Sequence, residues 1–313
     1  MREDLRLHPA PPLGVMMGIC AYNEERNIGR LLDAIGSVSV VTEIVVVSSG
    51  STDRTDSIVR EKARTDSRIR LLQQPVRTGK ADAVNVLIDS CRSPVLIFVS
   101  ADTLPANESV SRIVRWFEDP TVGAVSARPV PVNPKKGFGH VAHIMWSAHW
   151  RFLWNLMLSK KLAHVSGEMC GLSSKVLRPI PQDIINEDGY IATILAKKGF
   201  RIILDRDSIV YMKAPTNIPE LVDQRRRIAA GHRQIMKRTG RIPTVLASSW
   251  RIYPSEAALT IFGVFREFRI GTWLWGLVLL ICELVAQLLA FGIFGQSEHV
   301  LWKTLRTTKS LKT

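Results

Sequence analysis

Short groups of carboxylate, hydroxyl and basic residues recur along the chain, and most of them directly follow an apolar run. In chain order they are Ala21-Tyr22-Asn23-Glu24-Glu25, Ser49-Gly50-Ser51-Thr52-Asp53, Gly79-Lys80, Ser100-Ala101-Asp102, Glu187-Asp188 and Gln224-Arg225-Arg226-Arg227. Carboxylates can hold a divalent cation or accept a proton, and basic side chains neutralise phosphate. The set therefore predicts chemistry on a phosphorylated ligand.

The apolar runs between these groups predict alternating strands and helices. Strands are expected over 15–21, 43–47, 68–72 and 95–99, and helices directly after Asn23, over 52–64 and over 81–91. Such alternation predicts an α/β domain with a mostly parallel central sheet and right-handed crossovers. Because ligands bind beyond the carboxyl ends of parallel strands, the polar groups are expected to meet in one site.

In this order and on this pattern, the groups resemble the signatures of family 2 glycosyltransferases, inverting enzymes with the GT-A nucleotide-sugar-binding fold. The resemblance covers residues 15–235. It implies that Ala21 to Glu24 wrap the nucleotide, with Tyr22 stacked on the base. Ser49 stands where family members carry an acid that receives the uracil N–H, and a hydroxyl can still accept that hydrogen bond. A UDP-sugar is the expected donor, with guanosine and other bases left open.

The resemblance assigns the donor diphosphate to the next two groups. Lys80 matches the family's glycine–lysine signature at the start of a helix, where a lysine is electrostatically misplaced unless an anion lies there. Ala101 and Asp102 stand in the place of the family's Asp-x-Asp sequence, which holds Mg²⁺ or Mn²⁺. The first acid of that sequence is Ser100 here. Asp102 is therefore the expected metal ligand, with phosphates and water completing the coordination.

The resemblance places the acceptor at two later groups. Ser166, Gly167 and Glu168 match the loop on the acceptor side, where glycine lets the backbone approach a sugar. In the Glu187-Asp188 pair, Asp188 matches the general base that deprotonates the acceptor hydroxyl. Inversion needs only one such base and no covalent intermediate. The same pair would also suit the first turn of a helix, where acidic residues are common.

Gln224 to Arg227 resemble the Gln-x-x-Arg-Trp signature of membrane-bound cellulose, chitin and hyaluronan synthases. The three arginines would grip the diphosphate through their planar guanidinium groups. Ile228 replaces the tryptophan that stacks on an acceptor sugar in those synthases, which argues against processive synthesis. The signature also argues against transfer to a polyprenyl phosphate, because enzymes of that kind generally lack it.

The composition restricts the partners. Of the 313 residues, 42 are Lys or Arg and 28 are Asp or Glu, which gives a net charge of +14. Nucleic acid, an anionic membrane surface or a polyphosphate substrate could explain this charge. No zinc-finger spacing or RNA-binding aromatic signature is present, so no nucleic-acid partner is expected. The 4 cysteines show no paired spacing, which favours a reducing, cytoplasmic face.

Two segments indicate contact with a membrane. Residues 271–294 contain no Lys, Arg or Asp and are long enough to span a bilayer, although a buried soluble helix would show the same pattern. Glu283 and Gln287 lie one turn apart in this segment, where they would meet another helix or a lipid headgroup. The second segment, 138–158, carries three tryptophans on one helical face, which predicts either an interfacial helix or core packing. They are Trp146, Trp150 and Trp154.

These observations predict a loose leader over 1–13, a GT-A domain over 14–240 and a membrane-associating region over 241–313. The expected function is metal-assisted, inverting transfer of a sugar from a nucleotide-diphosphate sugar to a lipid or glycan acceptor at the cytoplasmic face of a membrane. A second copy or a partner membrane subunit is left open. The alternatives are a processive polysaccharide synthase subunit and a non-catalytic, transferase-like binding subunit, the latter suggested by the serines at positions 48, 49 and 100.

Overall fold

A computed structural model describes residues 14–291 and 305–311. The expected leader, 1–13, and the last three residues of the expected membrane span, 292–294, lie outside the described residues. Within the described part, strands and helices alternate up to residue 212, and helices follow.

The first half of the fold follows the predicted alternation of strands and helices. Its elements are β1 (Val15–Ala21), α1 (Ile28–Gly36), β2 (Val41–Ser49), α2 (Thr55–Thr65), β3 (Ile69–Gln74), α3 (Lys80–Ser90) and β4 (Val95–Ser100). The four strands pair in parallel in the order β3-β2-β1-β4. Met16 and Met17 of β1 belong to different core clusters and both are fully buried, because helices cover the two faces of the sheet.

The second half of the sheet adds antiparallel strands. Its elements are β5 (Leu104–Pro105), α4 (Ser109–Arg115), β6 (Val122–Pro131), α5 (Gly139–Leu158), β7 (Met169–Ser173), α6 (Glu187–Lys197) and β8 (Arg201–Met212). Strand β7 runs antiparallel between β4 and β6, β8 lies parallel to β6, and β5 pairs antiparallel with β8 at the edge. Across the described residues the sheet has eight strands, and it confirms the predicted α/β class.

Two predicted helix starts are wrong, and side-chain hydrogen bonds explain both. Helix α1 begins at Ile28 instead of directly after Asn23. Asn23 has a φ of 52°, and its side-chain oxygen accepts a hydrogen bond from the Thr52 N–H at 2.8 Å. Helix α2 begins at Thr55, because the Asp53 carboxylate accepts a hydrogen bond from the Thr55 N–H at 2.9 Å. Asp53 therefore has a structural role at this helix start.

In the part of the chain that the structure describes, β8 is followed by the α-helices α7 (Ile218–Thr239), α8 (Leu246–Ser249), α9 (Pro254–Glu267) and α10 (Trp273–Phe291). Asn217 caps α7 by accepting a hydrogen bond from the Glu220 N–H at 2.9 Å. Among the described residues, one helical segment, Ile270–Ala290, is long and apolar enough to cross a membrane, by length and composition alone. It overlaps the predicted span.

The polar residues of α10 contact α7. Arg225 Nε donates to Glu283 Oε2 at 2.6 Å, and Arg233 Nη2 donates to the Gln287 carbonyl at 3.1 Å. Gln287 Nε2 in turn donates to Glu283 Oε1 at 3.0 Å. The sequence predicts that Glu283 and Gln287 meet another helix or a lipid headgroup. The structure shows the contact with another helix.

The tryptophans of α5 pack inward. Trp150 is buried in a cluster with Leu153 and Ala257, and Trp154 lies against it with ring centres 6.1 Å apart. Trp146 lines the cavity described below. An interfacial position for this helix therefore stays a prediction, whereas its packing against α9 is a feature of the fold.

Candidate active site

One cavity of about 1210 Å³ opens at the carboxyl ends of β1, β2 and β4 and continues between α5, α7, α9 and α10. It brings together nearly all the residues that the sequence singled out. Those lining it are Ala21, Tyr22, Glu24, Ser49, Lys80, Ala101, Asp102, Gly167, Glu168, Glu187, Asp188, Gln224, Arg225, Arg226 and Arg227. Asn23 and Ser166 are not part of this lining, and each contacts a neighbouring loop or strand instead.

Asn23 joins the loop after β1 to the loop after β2. Besides its hydrogen bond with Thr52, it donates its N–H to Ser51 Oγ at 3.1 Å. Asparagine tolerates the left-handed backbone conformation that this turn requires. The two loops expected to surround a nucleotide are therefore held together.

The ring of Tyr22 is covered on one face by Arg77, whose guanidinium carbon lies 4.1 Å from the ring centre. Arg77 was not among the predicted site residues, and it also lines the cavity. Stacking of a cation on an aromatic ring is favourable and fixes the ring orientation. A base packing against Tyr22 would therefore use the opposite face.

Two serines occupy the positions of the expected acids at the end of β2. Ser48 Oγ donates to Ser51 Oγ at 2.9 Å, within the same turn. Ser49 Oγ accepts a hydrogen bond from the Thr78 N–H at 3.4 Å. Of the two serines, only Ser49 lines the cavity.

Glu24 is the buried acid at the end of the cavity where the nucleotide is predicted to bind. Its carboxylate accepts a hydrogen bond from Asn27 Nδ2 at 3.0 Å and pairs with the ammonium of Lys309. Burial and the nearby charge of Asp102 raise the pKa of Glu24 to about 7, against the lowering effect of Lys309. Glu24 can therefore either accept or donate a proton near neutral pH.

Lys309 belongs to the segment 305–311, which the sequence did not connect with the site. Its ammonium also donates to the Tyr22 carbonyl at 2.9 Å, although the two residues are 287 positions apart. Leu311 of the same segment is buried. The segment covers the nucleotide end of the cavity, and no local pattern in the sequence signals a contact over such a separation.

Asp102 lies just beyond β4 and lines the cavity. Ser100, at the position of the missing first acid, donates its hydroxyl to the Gly167 carbonyl at 2.8 Å and thereby joins β4 to the acceptor loop. Within the described residues, no three His, Cys, Asp or Glu side chains form a group that could hold a metal ion. Mg²⁺ is commonly bound by one or two carboxylates together with substrate phosphates. Asp102 therefore fits a metal ion that binds together with a diphosphate.

Lys80, at the start of α3, forms a buried ion pair with Glu187, at the start of α6. The ammonium lies 2.5 Å from Glu187 Oε1. Burial lowers the pKa of Lys80, but attraction to Glu187 and Asp188 outweighs this effect and raises the pKa above its ordinary value. Lys80 therefore carries a full positive charge directly beside the predicted catalytic pair.

Asp188 lies against the backbone of the acceptor loop. A Cβ added at Gly167 would lie only 2.8 Å from Asp188 Oδ2, so the carboxylate fits here because residue 167 is glycine. Asp188 Oδ1 accepts a hydrogen bond from the Gly189 N–H at 2.7 Å. These contacts hold the predicted base beside the loop predicted to bind the acceptor.

Glu168 is a second acid in this part of the cavity. Ser166 donates its hydroxyl to Glu168 Oε2 at 2.8 Å and its N–H to Ser126 Oγ at 3.0 Å. Burial raises the pKa of Glu168 to about 7, and the charge of Asp188 adds to the increase while the Ser166 hydrogen bond opposes it. Ser166 thus positions Glu168 from outside the cavity lining.

The three arginines on α7 have different partners. Arg225 pairs with Glu283, and Arg226 Nη2 lies 3.7 Å from Asp223. Burial lowers the pKa of Arg227 to about 10, although Glu187 and Asp188 attract its charge. The three arginines therefore do not act as one group: Arg225 contacts α10, Arg226 contacts a residue of its own helix, and Arg227 is attracted to the Glu187-Asp188 pair.

Three histidines line the same cavity and were not predicted as site residues: His149 on α5, His164 before β7 and His232 on α7. The ring centres of His149 and His164 are 4.9 Å apart. Burial lowers the pKa of His232 to about 3 and of His164 to about 4, and it lowers the pKa of His149 well below its ordinary value. The cluster is therefore neutral at physiological pH, and its members are too far apart in the chain to form a motif.

Comparison with known proteins identifies the family. A family model described as Glycosyl transferase family 2 matches residues 17–180. The chain is 22% identical over 280 residues to poly-beta-1,6-N-acetyl-D-glucosamine synthase of Staphylococcus epidermidis, covering 87% of this chain and 64% of that protein. It is 24% identical over 234 residues to the synthase of the same name from Staphylococcus aureus strain COL, covering 72% and 56%. The chain thus spans less than two thirds of the length of these relatives.

Solved structures show the same fold. The mannosyltransferase PcManGT from Pyrobaculum calidifontis, in complex with GDP-Man and Mn²⁺, superposes with a TM-score of 0.62 at 23% identity, covering 88% of this chain and 86% of that one. Glucosyl-3-phosphoglycerate synthase from Mycobacterium tuberculosis, in complex with Mn²⁺, UDP and glucosyl-3-phosphoglycerate, has a TM-score of 0.52 at 20% identity, covering 74% and 81%. The chain therefore belongs to glycosyl transferase family 2 and is a glycosyltransferase with a GT-A-like fold.

Proposed function

We propose that this glycosyltransferase moves a sugar, with inversion at the anomeric carbon, from a nucleoside-diphosphate sugar to a lipid or glycan acceptor at a membrane. The proposal depends chiefly on one observation: a single cavity holds both Asp102, after β4, and Asp188, at the start of α6. A transfer reaction needs the leaving diphosphate and the attacking hydroxyl in one space. Asp102 would serve the first and Asp188 the second.

The donor nucleoside would lie at the carboxyl ends of β1 and β2. Tyr22 would pack against the base through the ring face opposite Arg77, and Ser49 and Glu24 would meet its polar edges. The solved structures of the same fold in complex with GDP-Man and with UDP support a nucleoside diphosphate as the ligand. We propose a UDP-sugar as the donor, with GDP-mannose as the alternative.

The diphosphate would lie beside Asp102. Mg²⁺ or Mn²⁺, held by Asp102 and the phosphate oxygens, would neutralise the charge that develops on the leaving group. Arg226 and Arg227 line the same cavity and can donate hydrogen bonds to phosphate oxygens. Lys80 is already paired with Glu187, so its proposed contribution is to position the start of α6.

The acceptor hydroxyl would approach along the Gly167 backbone. Its oxygen forms a bond to the anomeric carbon from the face opposite the diphosphate, which inverts that centre. The electron pair of the broken bond between the anomeric carbon and oxygen leaves with the nucleoside diphosphate, and the hydroxyl proton passes to Asp188. Glu168, whose pKa is about 7, would hydrogen-bond the acceptor sugar or head group beside this base.

We further propose that the enzyme works at the cytoplasmic face of a membrane. The long apolar helix α10 supports membrane attachment, and the cysteines, all free, agree with a reducing compartment. The proposed division is a catalytic domain over 14–240 and a membrane-associating region over 241–313. A second copy or a membrane partner subunit would be compatible with this arrangement.

Processive synthesis of a polysaccharide is the second candidate, because the curated relatives are poly-beta-1,6-N-acetyl-D-glucosamine synthases. One feature of this chain weakens it, because Ile228 stands where processive synthases carry a sugar-stacking tryptophan.

The test uses the full chain purified into lipid nanodiscs and a panel of nucleotide sugars. Release of nucleoside diphosphate is followed with Mg²⁺, with Mn²⁺ and with a chelator. We expect metal-dependent release from one donor, abolished by Asp188→Asn. Asp183→Asn is the matched control, because Asp183 lies outside the cavity in an exposed ion pair with Arg238.

The two alternatives give different results in this test. A non-catalytic subunit would bind a nucleotide but release no diphosphate from any donor, even with membrane lipids present. A processive synthase would convert the labelled sugar into polymer that remains at the origin of a chromatogram. Loss of activity in the Asp183→Asn control would remove the argument for Asp188 as the base.

A further inference from the structure

The cavity is larger than a nucleotide-sugar site needs. Pockets for a single small ligand usually measure roughly 300–1,000 Å³, whereas this one measures about 1210 Å³. Its polar end lies at β1, β2 and β4, where the donor is proposed to bind. The remainder extends between α5, α9 and α10, where no part of the donor is expected. This second part of the cavity has room for another ligand.

The second part is lined mainly by apolar side chains, together with Glu283 and Gln287 of α10. Met145 comes from α5, Ile261 from α9, and Leu279, Leu280 and Leu284 from α10. Glu283 already accepts hydrogen bonds from Arg225 and Gln287, so these walls offer few hydrogen bonds to hydroxyl groups, and a glycan chain would lose most of its hydration there without replacement. A hydrocarbon chain gains free energy by leaving water for the same walls. The lining therefore selects an aliphatic ligand over a carbohydrate.

The second part also opens toward the apolar outer surface of the helices. Ile261, Leu280 and Leu284 line the cavity, yet they are 51%, 55% and 56% exposed. They continue into exposed apolar residues on the same helices, such as Phe265 and Leu288. Neighbouring apolar side chains that are exposed in this way mark a surface that contacts lipid or protein. With α10 in a bilayer, as proposed above, these side chains would give an aliphatic ligand an apolar route into the cavity.

Polar atoms without partners lie in the same cavity lining. Trp146 Nε1, His164 Nδ1 and Arg226 Nε are buried and have no hydrogen-bond partner among the described residues. Buried polar groups in native proteins are almost always satisfied, so each orphan needs an explanation. These atoms have almost no accessible surface, so a head group in the cavity would reach Trp146 Nε1 as a donor, and His164 Nδ1 in either role, after a shift of these side chains.

We infer that the acceptor is a lipid with a hydroxylated head group. Its hydrocarbon chain occupies the space between α5, α9 and α10, and its head group passes Trp146 and His164 to reach Asp188. The inference rests on the proposed function. The head-group oxygen bonds to the anomeric carbon, its proton goes to Asp188, and the nucleoside diphosphate leaves with the electron pair of the broken bond.

The first experiment measures occupancy without turnover. A diacylglycerol with a photoactivatable diazirine in one acyl chain is incorporated into nanodiscs with the full chain, irradiated, and the cross-linked peptides are mapped. We expect cross-links to Met145 and Trp146 on α5, inside the cavity. Cross-links confined to the outer faces of α9 and α10 would overturn the inference. This result does not depend on whether the protein is an active transferase.

The second experiment measures transfer with the donor identified by diphosphate release. We expect the labelled sugar in the organic phase after extraction, and Leu280→Asn and Leu284→Asn should each raise the KM for the lipid about tenfold. Leu277→Asn and Leu288→Asn are the matched controls, because these leucines are 52% and 71% exposed on α10 and do not line the cavity. All four variants should keep the affinity for the donor.

The outcomes separate the two proposals. Equal effects of the four substitutions, or label only in the aqueous phase, would overturn a lipid acceptor while leaving the transferase intact. Cross-linking inside the cavity without diphosphate release from any donor would support the lipid site and overturn the proposed function. The substituted side chains are more than half exposed, so none of these variants removes core packing.

Discussion

The ammonium of Lys80 lies 2.5 Å from a carboxylate oxygen of Glu187, and this ion pair joins the start of α3 to the start of α6. The Lys80 side chain is 23% exposed and that of Glu187 is 7% exposed. Because Asp188 is the next residue, the pair fixes the position of the proposed general base relative to the central sheet. The motif predicts that Lys80 contacts a diphosphate. In the structure Lys80 also positions the start of α6 through its ion pair with Glu187.

Lys80→Met should destabilise the protein by about 3 kcal/mol, because it leaves the buried Glu187 carboxylate without its counter-charge. Denaturant unfolding at neutral pH measures this change. Lys62→Met is the matched control, because Lys62 pairs with the exposed Asp33 at the same distance of 2.5 Å. This substitution should lower the free energy of unfolding by less than about 1 kcal/mol. Equal costs for the two variants would show that the buried pair has no special role.

The general position of the site could be predicted because parallel strands bring their carboxyl ends to one edge. Tyr22, Ser49 and Asp102 each follow or end a strand, and the structure brings them to a single cavity. The detailed contacts could not be predicted in the same way. Asn23 has the residue type of a helix cap, but its side chain bonds the neighbouring loop, and such a choice depends on a segment distant in sequence.

Contacts between distant elements account for most of what sequence reasoning missed. His149 and His232 reach the cavity from α5 and α7, and Lys309 reaches it from beyond α10. The tryptophans of α5 illustrate a different limit. A row of tryptophans at helical spacing suits a membrane interface and a protein core equally well, and only the packing of Trp150 against Leu153 and Ala257 distinguishes them.

Glu168 should make the protein less stable as the pH rises. Its pKa is raised from the ordinary 4.5 to about 7 in the folded protein. Between these values the folded state binds more protons than the unfolded state, so the free energy of unfolding falls from about pH 4.5 to pH 7. Glu168→Gln should flatten this part of the profile, measured by denaturant unfolding at pH 5 and pH 8.

Glu61→Gln serves as the control for the pH profile, because Glu61 lies in an exposed position on α2. It should leave the dependence of stability on pH unchanged. If Glu168→Gln shows the same slope as the unmodified protein, Glu168 ionises at its ordinary pKa, and its burial does not favour the protonated form.

His232 should make the protein less stable as the pH falls, which is the opposite dependence to that of Glu168. Burial depresses the pKa of His232 to about 3, so below the ordinary value of 6.5 the unfolded state binds more protons than the folded state. Stability should therefore be lost as the pH falls from about 6.5 toward 3. His232→Gln should lessen this loss, measured as the difference in unfolding free energy between pH 7 and pH 5. His140→Gln, which does not line the cavity, should leave the difference unchanged.

Asp102→Asn should weaken metal-dependent nucleotide binding. With Mn²⁺ present, the affinity for UDP should fall about tenfold or more, because an uncharged amide is a poorer ligand for a hard cation. In the presence of a chelator, the variant and the unmodified protein should bind UDP alike. Isothermal titration calorimetry measures both conditions. Asp207→Asn is the control, because Asp207 lies at an exposed position on β8, and it should leave both affinities unchanged. If Mn²⁺ still increases the affinity of Asp102→Asn for UDP as much as that of the unmodified protein, other residues bind the metal.

The ion pair between Arg225 and Glu283 should hold α10 against α7. Their side chains are 17% and 18% exposed, and the two atoms are 2.6 Å apart. Arg225→Met and Glu283→Met should each destabilise the protein by about 2 kcal/mol, and the double variant should cost much less than the sum, because no buried charge is then left alone. Unfolding in nanodiscs measures this coupling.

The pair of Arg226 and Asp223 is the control. The two side chains are 3.7 Å apart on one helix, and Asp223 is 48% exposed, so their coupling should be below about 0.5 kcal/mol. Similar coupling in the two cycles would mean that the ion pair of Arg225 and Glu283 does not hold α10 against α7.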